Sequence, residues 1–183
     1  MTITHASSHT PLKINNNRMK NICLFLTLAL FGLSFSAKGQ DLYNPNANAK
    51  EDIRKAIAQA KAENKHVFLQ LGGNWCSWCK RFHAFIEQDE ELKKLVDDNF
   101  ITVKVNYSPE NRNEAVLKEL EFPQRFGFPV FVILNQNGTR IHTQNSGILE
   151  DTTSETFYSK KLVTQFFSHW TPAALDPKTY EKK

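Results

Sequence analysis

Two cysteines separated by two residues, Cys76 and Cys79, are the side chains of this sequence best suited to chemistry. They follow an apolar run at 67–71 that predicts a buried strand, and they open a segment with helical spacing. A thiol at the start of a helix lies over unpaired backbone N–H groups and the positive end of the helix dipole, which favour the thiolate. The second thiol, one helical turn further on, can form a disulfide with the first. The spacing therefore predicts a redox-active dithiol.

The same spacing also occurs in haem attachment sites, zinc sites and structural disulfides. Haem attachment requires a His directly after the second cysteine, where this chain has Lys80. A zinc site needs four ligands; His83 could supply a third beside the two thiols, and no fourth is evident. An inert disulfide is the other alternative, although closing so small a loop constrains the unfolded chain very little.

The flanking residues favour the redox interpretation. Gly72 and Gly73 allow the chain to turn sharply out of the strand, and Trp75 offers an apolar surface beside the first thiol. Further along, Pro129 precedes a strongly β-forming run at 130–134. Because a proline does not fit inside a central strand, Pro129 is expected at the first position of that strand, where a cis peptide bond can precede it.

With these two motifs the sequence resembles the thioredoxin superfamily. Residues 75–80 match its Trp-Cys-x-x-Cys-Lys signature, and Gly127-Phe128-Pro129 matches the cis-proline loop that opens the next antiparallel strand. The chain looks most like bacterial thioredoxin-like proteins whose active site reads Cys-Gly-Trp-Cys, and the likeness covers about residues 49–170. It implies an α/β thioredoxin fold, in which helices flank both faces of a central mixed β-sheet.

The resemblance implies a thiol–disulfide oxidoreductase that acts on protein thiols and disulfides and needs no metal or organic cofactor. Cys76 would attack a substrate disulfide, and Cys79 would resolve the mixed disulfide. The backbone beside Pro129 would pair with the substrate strand, and Phe128 would be part of the contact surface. The other residues expected to contact substrate lie in or just before the exposed turn between the cysteines: Trp75, Ser77 and Trp78.

Two positions depart from the family pattern. Thioredoxins carry a buried carboxylate six residues before the first cysteine, which assists deprotonation of the resolving thiol, and this chain has Gln70 there. An amide cannot take a proton, so Cys79 would need water, Lys80 or another group, and slower resolution is expected. The dipeptide Ser77-Trp78 lacks the histidine of strong oxidants, so the expected potential is nearer the reducing end.

These features predict an exported oxidoreductase that works in the reductase or isomerase direction. A non-catalytic binding module on the same scaffold is one alternative, which the missing carboxylate and the bulky Ser-Trp insert favour. A metal-binding protein that uses Cys76, Cys79 and His83 is the other. An exported reductase would draw its electrons from a membrane or exported donor, because no thiol reductant is assured outside the cytosol.

The first 40 residues have the composition of a leader. An apolar run at 22–35 follows basic residues and precedes small ones, which predicts a cleaved signal peptide within residues 1–39, with Met19 as the true start. A periplasmic or secreted protein would result, with an uncleaved membrane anchor as the alternative. The formal charge of +4 comes entirely from this segment, so the remainder is neutral, which argues against a nucleic-acid partner.

Residues 40–183 are expected to form a single thioredoxin-like domain with a short polar N-terminal arm, mobile or loosely docked. Hydrophobic periodicity predicts five helices and four strands, with a break near Asp89 and a hairpin turning at Asn137-Gly138. The predicted helices lie at 50–64, 76–88, 90–98, 111–121 and 159–170. The predicted strands lie at 67–71, 100–105, 130–134 and 139–143.

Overall fold

The computed structural model describes residues 41–181, so the predicted leader at 1–39 lies outside the described residues. Four strands form one sheet in the order β2-β1-β3-β4. Strand β1 pairs in parallel with β2 and antiparallel with β3, which pairs antiparallel with β4. Their bounds are His66–Gly72 for β1, Phe100–Asn106 for β2, Val130–Leu134 for β3 and Arg140–Asn145 for β4. The predicted central mixed sheet is confirmed.

Five α-helices cover the two faces of this sheet in the described part of the chain. Helices α1 and α4 pack on one face, and helices α2, α3 and α5 pack on the other. Their bounds are Ala49–Glu63 for α1, Ser77–Gln88 for α2, Glu90–Asn99 for α3, Glu114–Glu119 for α4 and Lys160–His169 for α5. Within residues 41–181, no helix has both the length and the apolar character that crossing a membrane requires.

Strand β1 is buried on both faces because helices cover it on both sides. Successive strand side chains point to opposite faces, so Leu69 and Leu71 pack towards α1 and α4 whereas Phe68 packs into the opposite core. That second core is aromatic: the rings of Phe68 and Phe167 meet edge to face at 5.1 Å, and Phe82 also packs into it. Truncating one such ring to alanine costs about 3–5 kcal/mol.

Asp89 is both the C-cap residue of helix α2 and the N-cap residue of helix α3. Its backbone is extended, and its carboxylate accepts hydrogen bonds from the backbone N–H groups of Glu91 and Leu92, both at 3.1 Å. A side-chain acceptor of this kind satisfies two of the unpaired donors at a helix start. The predicted break near Asp89 is confirmed.

The helix predicted at 111–121 is shorter than expected, because α4 begins only at Glu114. Asn113 adopts a left-handed backbone conformation, with φ of 50°, that a helix does not tolerate. The Asn111 side chain donates hydrogen bonds to the carbonyls of Pro45 and Ala47, which fixes the preceding loop against the N-terminal arm. These contacts join residues more than 60 positions apart, so local periodicity could not reveal them.

The N-terminal arm, residues 41–48, is firmly docked, and the expectation of a mobile or loosely docked segment was wrong. Tyr43 is fully buried. The Asn74 side chain clamps its backbone, because Oδ1 accepts from the Tyr43 N–H at 3.0 Å and Nδ2 donates to the Tyr43 carbonyl at 2.8 Å. The arm is rich in polar residues, yet its one aromatic ring is inserted into the domain next to the cysteine pair.

Candidate active site

Cys76 and Cys79 form a disulfide at the N-terminus of helix α2. Cys76 is the N-cap residue, and its Sγ accepts a hydrogen bond from the backbone N–H of Cys79 at 3.1 Å. The Cys76 N–H donates to the Gly73 carbonyl at 2.9 Å, which closes the turn out of β1. In the reduced protein, the Cys79 N–H and the helix dipole would stabilise a thiolate on Cys76.

Both cysteines of the disulfide are buried, although a thiol that attacks a substrate needs to be accessible. Cys79 is completely buried, and Cys76 retains 4% of its surface. The residues that cover the pair come from the arm, from helix α2 and from the loop before β3: Leu42, Tyr43, Trp78 and Phe128. Attack by Cys76 on a protein disulfide therefore requires part of this cover to move.

Gln70 lies below the disulfide, completely buried, where thioredoxins carry their carboxylate. Its Nε2 donates to the Tyr43 hydroxyl at 3.0 Å and to the Cys79 carbonyl at 3.1 Å. Its Oε1 accepts from Lys104 Nζ at 2.5 Å. Because both Nε2 hydrogens and the Oε1 oxygen are bonded to different elements, Gln70 connects the arm, helix α2 and strand β2.

Lys104, and not Lys80, is the ammonium group beside this network. The side chain of Lys80 is exposed, which leaves it outside the buried network. Lys104 reaches Gln70 because the two residues are direct partners in the β1–β2 pairing. Burial lowers the pKa of Lys104 to about 8, and Glu87 partly offsets this effect. Lys80 was one of the groups suggested to assist the resolving thiol, beside water or another group. Lys104 is connected to Cys79 through Gln70, which donates to the Cys79 carbonyl.

Gly72 and Gly73 matter because other groups approach their backbone closely. A Cβ on Gly72 would lie 2.4 Å from Cys79 Sγ and 2.8 Å from the Tyr43 hydroxyl oxygen. A Cβ on Gly73 would lie 2.4 Å from the indole nitrogen of Trp75. Neither glycine is among the residues with positive φ. The expected sharp turn is present. Glycine is needed in it because a side chain would clash with neighbouring groups, and not because of a left-handed backbone conformation.

Trp75 projects from the site with 57% of its surface exposed. Its Nε1 donates to the Tyr107 carbonyl at 2.7 Å, and its ring meets Phe128 edge to face at 5.4 Å. Phe128 in turn stacks on Tyr107 at 4.9 Å. An open cavity of about 330 Å³, lined in part by Trp75, Tyr107 and Arg112, adjoins these rings. The structure therefore places an exposed aromatic surface beside the disulfide.

Trp78 does not lie in an exposed turn, and that expectation was wrong. It is in the first turn of α2 and is half-buried, because its ring packs edge to face against Phe157 at 5.9 Å and Tyr158 at 5.7 Å. The Arg81 guanidinium lies 5.1 Å from the Trp78 ring centre. Ser77, by contrast, is exposed beside the disulfide.

Pro129 is buried immediately before β3, and the Phe128–Pro129 peptide bond is cis. The strand begins at Val130, as its predicted bounds had it, so Pro129 immediately precedes the strand and does not occupy its first position. The adjacent Phe128 contacts the cluster of Tyr43 and the two cysteines, so this loop and the dithiol lie side by side.

No group of three or more His, Cys, Asp or Glu side chains placed to hold a metal ion occurs within residues 41–181. His83, the third ligand considered from the sequence, has its Nδ1 4.0 Å from Glu87 Oε1. Burial and the nearby Lys104 lower the pKa of His83. The sulfurs of Cys76 and Cys79, the other two ligands considered, are joined to each other in the disulfide.

The sequence interpretation missed Tyr43, Asn74 and Lys104. A faint signal existed for Lys104: strands β1 and β2 are parallel neighbours, so a lysine in β2 could have been aligned with Gln70. Nothing in the local pattern marks Tyr43, because the arm reads as a polar segment.

Residues 48–136 match a family model described as thioredoxin-like. Together with the mixed sheet and the disulfide at the start of α2, this match defines the described part of the chain as a thioredoxin-fold domain with a Cys-x-x-Cys pair. Among solved protein structures, a disulphide isomerase from Xylella fastidiosa Temecula1 has a similar fold. That likeness has a TM-score of 0.59 with 24% identity, over 69% of this chain and 94% of the other.

Two curated proteins illustrate the sequence relationships. Spermatogenesis-associated protein 20 of Mus musculus is 40% identical over 53 residues, which is 29% of this chain and 7% of that protein. Thiol:disulfide interchange protein DsbD of Yersinia enterocolitica is 29% identical over 89 residues, 49% of this chain and 14% of that protein. The chain therefore spans a small fraction of these relatives, and the likeness is that of one domain.

Proposed function

We propose that this protein is an exported thiol–disulfide oxidoreductase that exchanges disulfides with protein substrates through Cys76 and Cys79. The observation that carries the proposal is the Cys76–Cys79 disulfide at the N-terminus of α2, with the Cys79 N–H donating to Cys76 Sγ. That arrangement is the one in which a helix start stabilises a thiolate and a neighbouring thiol can displace what it captures. The similarity to a protein named thiol:disulfide interchange protein supports the same chemistry.

In the reducing direction, the Cys76 thiolate attacks one sulfur of a substrate disulfide, and the other substrate sulfur leaves as a thiolate that takes up a proton. Cys79 then loses its proton and attacks Cys76 Sγ, which expels the first substrate sulfur. The Cys76–Cys79 pair is oxidised by two electrons and the substrate disulfide is reduced. Trp75, Ser77, Trp78, Phe128 and Pro129 would contact the substrate. Trp75 and Ser77 are the chain neighbours of Cys76, and Trp78 and Phe128 pack against the cysteine pair.

The reductase or isomerase direction is favoured because no histidine lies between the cysteines to stabilise the reduced form strongly. The apolar leader supports export, and a reductase there would take its electrons from a membrane or exported donor. Such a donor would have to reach Cys76 through the same aromatic surface.

Reduction of insulin by the full-length chain, with dithiothreitol as electron source, tests the proposal. We expect turnover in the wild type and a loss to background in Cys76→Ser. Ser168→Ala, at an exposed serine of helix α5 outside the site, is the matched control and should retain turnover. Equal rates in wild type and Cys76→Ser would contradict the assignment.

One observation favours a second candidate, a thioredoxin-fold binding module. Only 4% of the surface of Cys76 is exposed, so a substrate has little access to its sulfur in this structure. A binding module would bind its partner equally well with Cys76 and Cys79 both replaced by serine, whereas the oxidoreductase would lose its mixed disulfide with a substrate.

A further inference from the structure

We propose that the Tyr43 hydroxyl donates a hydrogen bond to the Cys79 sulfur in the reduced protein, and thereby stabilises Cys79 as a thiolate. The inference rests on the proposed function, because it concerns the thiol that resolves the mixed disulfide. It also gives the N-terminal arm a chemical role, since the arm alone supplies this hydroxyl.

The first step is the position of the hydroxyl. Tyr43 is fully buried against the two cysteines, and its hydroxyl oxygen accepts a hydrogen bond from Gln70 Nε2 at 3.0 Å. A hydroxyl that accepts one bond still has its own hydrogen to donate. The Tyr43 oxygen and Cys79 Sγ border the same space, 2.8 Å and 2.4 Å from where a Cβ on Gly72 would be. The two atoms are therefore close neighbours, and the proposal is that the sulfur becomes the acceptor of this hydrogen once reduction frees it from Cys76.

The second step is the direction of the hydrogen bonds. Lys104 Nζ donates to Gln70 Oε1, and Gln70 Nε2 donates to the Tyr43 oxygen. Each of these two hydrogen bonds is therefore donated in the direction that leads from the Lys104 ammonium group to Cys79. A chain of hydrogen bonds that starts from a charge is polarised along its length, which makes the last hydrogen a better donor. Burial raises the pKa of Tyr43, so the hydroxyl keeps its proton throughout.

The third step is the chemistry. A thioredoxin carboxylate would remove the proton of the resolving thiol, whereas Gln70 cannot accept it. Here the Cys79 proton passes to water, and the resulting thiolate is held by the Tyr43 hydroxyl until it attacks Cys76 Sγ. The bond between Cys76 and the substrate sulfur breaks, and that sulfur leaves with the electron pair and takes up a proton. A donor that lowers the pKa of Cys79 increases the thiolate fraction available for this attack.

The test measures the ionisation of Cys79 directly. In a background of the full chain that carries both Cys23→Ser and Cys76→Ser, Cys79 is the one cysteine left, so ¹³C-labelled cysteine reports its thiolate through the Cβ shift as the pH is raised. We expect Tyr43→Phe to lower the ionisation constant of Cys79 about tenfold, which is the effect of one hydrogen bond to a charged group. Tyr180→Phe, at an exposed tyrosine whose hydroxyl donates to the Ala174 carbonyl, is the matched control and should leave the constant unchanged.

The sign separates the hydrogen bond from a purely structural role. If the Tyr43 ring only excluded water, disturbing it would hydrate Cys79 and raise the ionisation constant, because burial disfavours a thiolate. An unchanged or larger constant in Tyr43→Phe therefore overturns the inference. Charged or titratable groups near this network include Lys104, Glu87, His83 and Tyr158. All of them are present in both proteins, so the difference isolates the hydroxyl.

A second measurement covers the case in which Tyr43→Phe folds poorly. Lys104→Met removes the charge that polarises the chain and should also lower the ionisation constant of Cys79, by less when Tyr43 is already Phe. Equal effects of Lys104→Met in the two backgrounds would overturn the coupling. The titration needs no substrate, so failure of insulin reduction with an intact titration effect would refute the proposed function alone. Turnover without the titration effect would refute this inference alone.

Discussion

The Lys104 ammonium donates a hydrogen bond to Gln70 Oε1, with the two atoms 2.5 Å apart and the two residues paired across strands β1 and β2. An ammonium beside a buried amide has no counter-charge in contact, so its charged form is disfavoured. Burial accordingly lowers the pKa of Lys104 to about 8. This relationship makes the stability of the domain sensitive to pH on the alkaline side.

We expect the free energy of unfolding to rise as the pH increases from about 8 to about 10, because a lysine in the unfolded chain has a pKa of about 10.4. Between these two pKa values the unfolded chain binds more protons than the folded protein, so raising the pH favours the folded state. Below about pH 8 the lysine is charged in both states, and the cost of burying its charge is fully present. Urea denaturation across this pH range measures the effect. In Lys104→Met the rise should largely disappear, whereas Lys80→Met, at an exposed lysine, should keep it.

Restoring a carboxylate below the disulfide should accelerate resolution. In Gln70→Asp the carboxylate can accept the Cys79 proton, so we expect release of a mixed disulfide about tenfold or more faster than in Gln70→Asn. The asparagine variant is the matched control, because it shortens the side chain equally and carries no charge. Quenched-flow measurement of mixed-disulfide decay gives both rates. Equal rates would show that proton removal does not limit the step.

Releasing the arm should uncover the cysteines. Asn74→Ala removes both hydrogen bonds to the Tyr43 backbone, each of which stabilises docking by about 1 kcal/mol. We expect the disulfide to be reduced by dithiothreitol about tenfold faster, because an undocked arm no longer covers Cys76. Asn44→Ala, which affects only a local hydrogen bond to Asn46 within the arm, should leave the rate unchanged. A wild-type rate in Asn74→Ala would mean that the arm does not limit access.

Removing the exposed indole of Trp75 should weaken the binding of a peptide substrate and leave the reaction with a small reductant unchanged. Trp75→Phe keeps an aromatic ring beside Phe128 and removes the hydrogen bond to the Tyr107 carbonyl. We expect KM for a peptide disulfide to rise about fivefold, which corresponds to one hydrogen bond, while the rate of reduction by dithiothreitol is unchanged. Leu175→Ala, at an exposed apolar residue, serves as the control. An equal loss of rate with the peptide disulfide and with dithiothreitol would indicate damage to the disulfide environment instead.

Local sequence determined the parts of this protein that lie close together along the chain. The apolar run of β1, the cysteine spacing and the helical periodicity after it were enough to predict the disulfide-bearing turn between strand and helix. They were enough because those signals act over one strand length or a few helical turns. The sheet and its covering helices followed from the same periodicities and from the family resemblance.

Tertiary structure decided what surrounds the sulfurs. Tyr43 is clamped by a residue 31 positions away, and Lys104 meets Gln70 across 34 positions, so neither contact leaves a local trace. Trp78 likewise packs inward because Tyr158, 80 positions later, lies against it. Strand register and the docking of the arm set these neighbours. They determine how much of Cys76 is exposed and which donors face Cys79, because burial and hydrogen bonding control the ionisation of a thiol.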